Sequence, residues 1–492
     1  MAAIFSIGEI VKATNGVPAG AVDADTGRTI AGVSTDTRTL AAGQAFFALV
    51  GENHDAHDHL DEAASKGAAL LVISDPGSVP AGFERTVLVV EDTLRAYQDL
   101  AAYYRKKVDP FVIAVTGSVG KTTAKDMIGC ILSEYSRVYY TQGNLNNHIG
   151  LPRTILEMEE DTEILALEMG MSFKGEIERL CEIALPDVSV ITNIGMSHRE
   201  NFDSDDGILK AKFEITAFLG EGGTLVIDSG GNAELEKIAL GDSRAKGYDL
   251  IRVASEGTDA AGTAEYVVSK TRISEDDVGV TLFDIREAAD GETVPFEIPA
   301  PGAYVGVSAA LASAAAARTR VKLADSAKAL KNLKRTAHRL DPIKAGGVLV
   351  IDDTYNASPD SVRSGLEYLK NVSAQKRVAI LADMNELGSD SEAMHRDAGA
   401  AAVLMGADGI YAYGEKAGWI ADGAEEAARG KPLPKIGYYG PDEKEKLIQD
   451  LREEIAAGSA IYIKGSRTMK MEEVVDALTG MAKDTEGGNG AF

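Results

Sequence analysis

Phe111-Val112-Ile113-Ala114-Val115-Thr116-Gly117-Ser118-Val119-Gly120-Lys121-Thr122-Thr123 is the stretch on which the fold turns. The apolar run from Phe111 to Val115 reads as a buried strand. A turn containing Gly117 and Gly120 follows, then a helical pattern with apolar Met127, Ile128, Ile131 and Leu132. Strand, glycine turn and helix in that order are what a phosphate loop requires. Glycines let backbone N–H groups approach phosphate oxygens, and the helix N-terminus adds a positive field. The ATP-binding candidates are therefore Gly117, Ser118, Val119, Gly120, Lys121, Thr122 and Thr123. Lys121 would lie on the β- and γ-phosphates, and the Thr122 hydroxyl on Mg²⁺. The spacing, G-x-x-G-K-T, is shorter than the usual phosphate-loop pattern. A tight glycine turn beside a surface lysine is the plain alternative, and the strand–loop–helix setting argues against it.

Further buried-type strands follow at Ile164 to Leu167 and Val188 to Thr192, separated by helical segments. That alternation predicts a parallel sheet. Ligands bind beyond the carboxyl ends of such strands. Glu168 ends one strand, and Asn193 with His198 follows the other. A carboxylate and an imidazole beside ATP are candidate metal ligands. Either residue alone reads equally as a structural polar group; their shared strand-end position favours function. Gln142-Gly143-Asn144-Leu145-Asn146-Asn147 is a dense amide loop. Its donors and acceptors suit sugar or peptide recognition, and its asparagines equally suit a turn.

The chain divides into residues 1–90, 91–319 and 320–484, with a tail at 485–492 expected to be mobile. The expected class is α/β in three domains. A small N-terminal α/β domain precedes a central parallel-sheet domain of phosphate-loop type. A C-terminal Rossmann-like domain follows. Residues 245–298 carry alternating runs and are expected to form a small antiparallel patch. The third block has strands at Val348 to Ile351, Arg377 to Leu381, Gly409 to Tyr413 and Ala460 to Ile463. Ser358-Pro359 marks a helix start there. No G-x-G-x-x-G follows its first strand, so a dinucleotide site is not expected there. Its strands end in polar loops, Asp352-Asp353-Thr354-Tyr355-Asn356, Asp383-Met384-Asn385-Glu386 and Lys464-Gly465-Ser466-Arg467. Together these suggest a polar face turned toward the phosphate loop.

Composition excludes several classes. Among 492 residues, 50 Lys and Arg face 76 Asp and Glu, a net charge of −26. Broad nucleic-acid or anionic-membrane binding needs a basic footprint and is not expected. The two cysteines, Cys130 and Cys181, cannot build a disulfide framework or a zinc cluster. The start lacks a signal-peptide pattern, and the longest weakly polar run, Val305 to Ala317, is too short for a span. A cytoplasmic protein is expected, without stable membrane insertion; nothing in the sequence demands an oligomer, so a monomer is expected. His54-Asp55-Ala56-His57-Asp58-His59 invites a metal reading, but it precedes a helix, where Asp and His are ordinary first-turn residues.

The chain resembles the Mur ligases over essentially its whole length. The segments TGSVGKTT, QGNLNNHIGLP, LEMG, ITNIGMSH, AKFEI, IDDTYNASPDS, LADMNELG and IKGSR carry the likeness. Within that family, IDDTYNASPD and KGSR are similar to the type that adds D-alanyl-D-alanine to UDP-N-acetylmuramoyl-tripeptide. The resemblance implies an ATP- and Mg²⁺-dependent amide ligase working through an acyl phosphate. By it, Lys121, Glu168, His198 and Lys212 are catalytic. Thr122, Glu168 and His198 would hold magnesium, as would Lys212 once carbamylated; a salt-bridged helix lysine is the plain alternative for Lys212. Arg339, Asp353 and Asn356 would join the ATP site. Thr37 and Arg38 would meet the uridine end, and Asn144, Asn146 and Asn147 the muramoyl-peptide. Lys464, Ser466 and Arg467 would face the peptide or the incoming dipeptide. The chain departs from the family pattern at Val119, often Asn; Arg199, often Leu; Tyr304 and Ser308, often His and Asn; and His338, usually Gly. A phosphate-loop kinase and a non-catalytic nucleotide-binding relative are the competing readings.

Overall fold

In the computed structural model, the strand Phe111–Thr116 lies inside a nine-stranded sheet. The structure describes residues 4–19, 27–51, 54–195, 199–202, 204–430 and 434–486. Phe111–Thr116 pairs in parallel with Ile164–Glu168 on one side and Val188–Ile191 on the other. The chain passes beyond the first neighbour to Val138–Tyr140, and outward from the second to Thr224–Asp228 and Asp249–Ser255. Phe111–Thr116 therefore sits where strand order reverses, the position at which open parallel sheets leave a crevice for ligands. The loop after this strand opens into that crevice.

Residues 245–298 hold the expected antiparallel pairing, but as an extension of the central sheet. Asp249–Ser255 and Tyr266–Ile273 extend the sheet in parallel, and Thr281–Glu287 and Thr293–Ile298 complete it as antiparallel strands. The Ala-rich helix Tyr304–Ala317 is buried along most of its length and packs against the loop helix Lys121–Ser133. Its small side chains allow the two backbones to approach closely. No helix among the described residues is long and apolar enough to cross a membrane.

A five-stranded sheet, ordered Val17–Ala19, Thr86–Val89, Leu70–Ile73, Ala45–Phe47 and Val33–Ser34, precedes the central one. The helix Thr93–Val108 joins the two sheets, capped by Asp92 through the Leu94 and Arg95 amides. Its aromatic residues pack against the N-terminal part. Tyr97 meets Phe47 edge-on at 5.6 Å, and Tyr104 meets Phe5 at 5.2 Å. One hydrophobic cluster runs from Phe5, Ile10 and Phe47 through Leu100 and Tyr104 to Leu165, Leu167 and Ile177. The first two sheets are thus built on one core.

The third sheet has six strands in the order Asp341–Ala345, Val348–Asp352, Ser459–Lys464, Lys376–Ala382, Gly409–Tyr413 and Lys435–Tyr439. All pairs are parallel except the first. It carries its own clusters on its two faces. The helix Pro359–Asn371 begins at Ser358, whose amide donates to Ser361 Oγ at 2.9 Å. The last helix runs Glu472–Glu486. The expected mobile tail therefore begins inside a helix, and residues 487–492 lie outside the described residues.

Candidate active site

The loop at Gly117 is braced from the neighbouring strand end. Asn193 Oδ1 accepts the Ser118 and Val119 amides at 3.0 and 2.8 Å, and Thr192 Oγ1 donates to the Val119 carbonyl at 2.6 Å. Gly117 has φ +148°, and a Cβ there would lie 2.0 Å from Thr192 Oγ1. No other residue fits without moving the strand end. Gly117→Ala is expected to weaken ATP binding at least tenfold, about 1.4 kcal/mol, measured by titration calorimetry. An unchanged affinity would show that the loop is not the nucleotide site.

The helix Lys121–Ser133 starts directly after Gly120, so its unpaired N–H groups and Lys121 converge on the loop. Lys121 Nζ donates to the Gly117 carbonyl at 2.8 Å. Burial lowers its pKa, the Glu168 carboxylate opposes that shift, and Arg339 adds to it. Thr122 Oγ1 donates to Glu168 Oε2 at 2.8 Å, and Asn146 Nδ2 donates to Glu168 Oε1 at 2.7 Å. Glu168 is buried. A hydroxyl oxygen and a carboxylate thus sit side by side at the loop, a hard oxygen donor set of the kind magnesium takes.

Lys212, on the helix Asp205–Phe213, lies beneath the loop with its side chain 2% exposed. Its Nζ reaches the Gly117 carbonyl at 3.2 Å. It forms no ion pair with a described carboxylate, so the salt-bridged alternative fails among the described residues. Burial lowers its pKa well below the usual lysine value, and Lys121 adds to the shift. His198 lies outside the described residues.

A cleft of about 580 Å³ runs from this loop to the third sheet. Ser118 to Thr123, Asn144, Asn146, Asn147 and Glu168 line one side, and Arg339, Asp353, Asn356 and Lys464 the other. Arg339 crosses the gap: its Nη2 donates to Thr122 Oγ1 at 3.1 Å, and its guanidinium lies 4.1 Å over the Tyr355 ring. Asn147 Oδ1 accepts the Gly150 amide at 2.8 Å and so opens the helix Gly150–Glu157. Asp353 and Lys464 are spent largely on each other, with Nζ to Oδ2 at 2.6 Å and both side chains buried.

Four further expected residues stand outside the cleft lining. Ser466 is buried, and its Oγ accepts the Asn385 amide at 2.8 Å. Arg467 is exposed and pairs with Glu472 at 3.3 Å. Thr37 donates to Glu62 at 2.9 Å, and the exposed Arg38 pairs with Asp36 at 2.7 Å, both on the first sheet's side of the molecule. In the histidine-rich segment, His57 bonds Asp55 through Nδ1 and accepts the Ser74 amide at Nε2, which is a structural role. Among the described residues, no group of three or more His, Cys, Asp or Glu could hold a metal ion by itself.

In the sequence Asn193 is marked only as a strand end, and Tyr355 carries no signal of its own. Both lie in quoted segments, ITNIG and DDTYNA, but their partners are 74 and 16 residues away in the chain. Tyr304 lines the cleft, and Ser308 Oγ comes within 3.6 Å of a Cβ built on Gly120. Both departures from the usual pattern therefore face the loop.

Phosphate loop, paired oxygen donors and an arginine reaching across from the junction with the third sheet define a nucleotide-dependent ligase site. The chain belongs to the Mur ligases: the family's middle domain matches residues 115–317, and its glutamate ligase domain residues 338–467. It is 38% identical to the UDP-N-acetylmuramoyl-tripeptide–D-alanyl-D-alanine ligase of Bacillus subtilis, over 91% of this chain and 93% of the relative. The Escherichia coli enzyme of the same name is 35% identical over 92% and 94%. The crystal structure of MurF from Acinetobacter baumannii superposes with a TM-score of 0.86 at 28% identity, covering 97% of this chain and 99% of that one. MurF ligase from Thermotoga maritima in complex with ADP gives 0.78 at 27% identity, covering 92% and 98%.

Proposed function

We infer that this protein uses ATP to join D-alanyl-D-alanine to UDP-N-acetylmuramoyl-tripeptide, completing the pentapeptide of a peptidoglycan precursor. The observation that carries the reading is similarity to ligases of this one reaction along more than nine-tenths of the chain. The cleft between phosphate loop and third sheet supports it.

The chemistry must bring a peptide carboxylate onto a polyanion. The carboxylate oxygen attacks the γ-phosphorus, and ADP leaves. The dipeptide amine then attacks the acyl phosphate carbonyl, loses a proton, and phosphate departs. Lys121, the amides at the helix start and Arg339 supply positive charge against that repulsion. Thr122 and Glu168 would hold magnesium, with His198 a further ligand. When bound, magnesium would neutralise charge on the polyphosphate. Lys212 would join this set after its neutral amine adds CO₂ and sheds a proton, becoming an anionic carbamate.

Residues 1–90 would take the uridine end near Thr37 and Arg38, and residues 91–319 the ATP. Residues 320–484 would close over both with Asn356, Ser466 and Arg467. Asn144, Asn146 and Asn147 would meet the muramoyl-peptide. Closure excludes water and protects the acyl phosphate from hydrolysis. A nucleotide-linked substrate and ATP fit a reaction in the cytoplasm, and a monomer would suffice because one chain supplies every group named.

Phosphate release should require ATP, UDP-N-acetylmuramoyl-tripeptide and D-alanyl-D-alanine together. The product should gain the dipeptide mass less one water. EDTA should abolish turnover, and excess Mg²⁺ should restore it. Release independent of the dipeptide, or a phosphorylated final product, would overturn the reading.

A further inference from the structure

Between the helix Leu323–Leu330 and the strand Asp341–Ala345 the chain crosses from the central to the third sheet. Arg339 stands in this junction between two residues of left-handed backbone, His338 at φ 63° and Leu340 at φ 49°. Neither is glycine, and each carries a Cβ that disfavours this conformation. Two such residues around one arginine must be held from outside.

Consecutive carboxylates hold them. His338 Nδ1 donates to Asp352 Oδ2 at 2.7 Å. Asp352 is itself fixed, its Oδ1 accepting the Thr354 amide and hydroxyl at 3.1 and 2.7 Å. On the other side, the Leu340 amide donates to Asp353 Oδ1 at 3.2 Å. Asp353 is anchored through Oδ2 by Lys464 at 2.6 Å and the Tyr462 hydroxyl at 3.0 Å. The Tyr355 amide closes the grip by donating to the His338 carbonyl at 3.1 Å. Between these holds, the Arg339 side chain is directed over Tyr355 to the Thr122 hydroxyl.

We propose that His338 is a positioning residue for Arg339, and that the Asp352–Asp353 pair clamps the junction so that the guanidinium is presented to the phosphate loop. The proposal rests on the ligase reading for what Arg339 meets there. It gives Asp353 work that needs no contact with ribose. An unclamped junction would let the arginine sample many directions and would add an ordering cost to each closure. The clamp removes that cost before ATP arrives.

The test is a double-mutant cycle in the full-length protein, read as kcat/KM for ATP with the dipeptide saturating. Arg339→Ala should lower it about a hundredfold and His338→Ala about tenfold. The double variant should be no worse than Arg339→Ala, because His338 acts only through the arginine. His338→Asn should recover most of the loss, since Asn tolerates left-handed backbone and its amide can donate to Asp352. A tenfold loss from His338→Ala in the Arg339→Ala background would overturn the proposal, as would wild-type behaviour of His338→Ala. If circular dichroism shows that His338→Ala does not fold, Asp352→Asn is scored in the same cycle against the same two outcomes. ATP affinity by calorimetry repeats the cycle without turnover, so a failure of the ligase reading would be seen separately from a failure of the clamp.

Discussion

Lys121→Ala should lower kcat about a thousandfold, the scale on which a single cation is worth at a transferring phosphoryl group. Lys121 opens the helix Lys121–Ser133 directly after the glycine turn. Its ammonium rests on the Gly117 carbonyl, 2.8 Å away within its own loop, so it is already gathered where phosphate oxygens would arrive. Alanine keeps the helix and removes the charge together with its hydrogen bond to the Gly117 carbonyl. The folded state should survive, with an unchanged melting temperature. Arginine at this position should not restore turnover, because the planar fork does not fit the space of a point charge. ADP formation at saturating ATP checks the result. A loss under tenfold would place the phosphates elsewhere.

Lys212→Met should separate stability from activity. Lys212 is 2% exposed, and the Gly117 carbonyl at 3.2 Å is the hydrogen-bond acceptor of its amine. Burial of such a group is unfavourable, and methionine fills the same length with apolar atoms. The melting temperature should therefore rise. Turnover should fall about a hundredfold, the scale for losing a group that orders a metal site. Thermal unfolding and ADP formation on the same sample test both halves. A variant that melts lower while keeping its activity would make Lys212 a packing residue. A buried group that weakens the fold and serves the chemistry is the usual form of a stability–activity trade-off.

Much of this was legible in the sequence, for local reasons. The apolar run ending at Thr116, the two glycines and the helical spacing after Lys121 define strand, loop and helix with no knowledge of partners. Ser358-Pro359 marks its helix equally directly. What failed depended on pairing. Asp341–Ala345 reads D-P-I-K-A, without an apolar run, and is a strand because it lies antiparallel on Val348–Asp352 at the sheet edge. Lys435–Tyr439 escapes notice for a similar reason, being an edge strand with a glycine at its centre. The antiparallel strands after residue 266 follow from their alternating runs, but their attachment to the main sheet through Asp249–Ser255 depends on a contact that no local pattern encodes. In the site, Glu168 and Lys121 follow from strand ends and loop grammar. The Asp353–Lys464 pairing joins residues 111 apart, and a left-handed histidine cannot be foreseen from its type. The three-block division is also softer in space than in sequence, since Thr93–Val108 packs its aromatic side chains into the first sheet's core.

That shared core would make the first two sheets a measuring rod for the proposed substrate. If the nucleotide end of the substrate docks on the first sheet, as proposed, its span to the phosphate loop runs across the core shared by Phe5, Phe47, Tyr97 and Tyr104. A precursor one or two residues short would be seated correctly at one end and hold its carboxylate away from ATP at the other. Length discrimination would then come from a gap the protein cannot close, with no side chain needed to reject the shorter peptide.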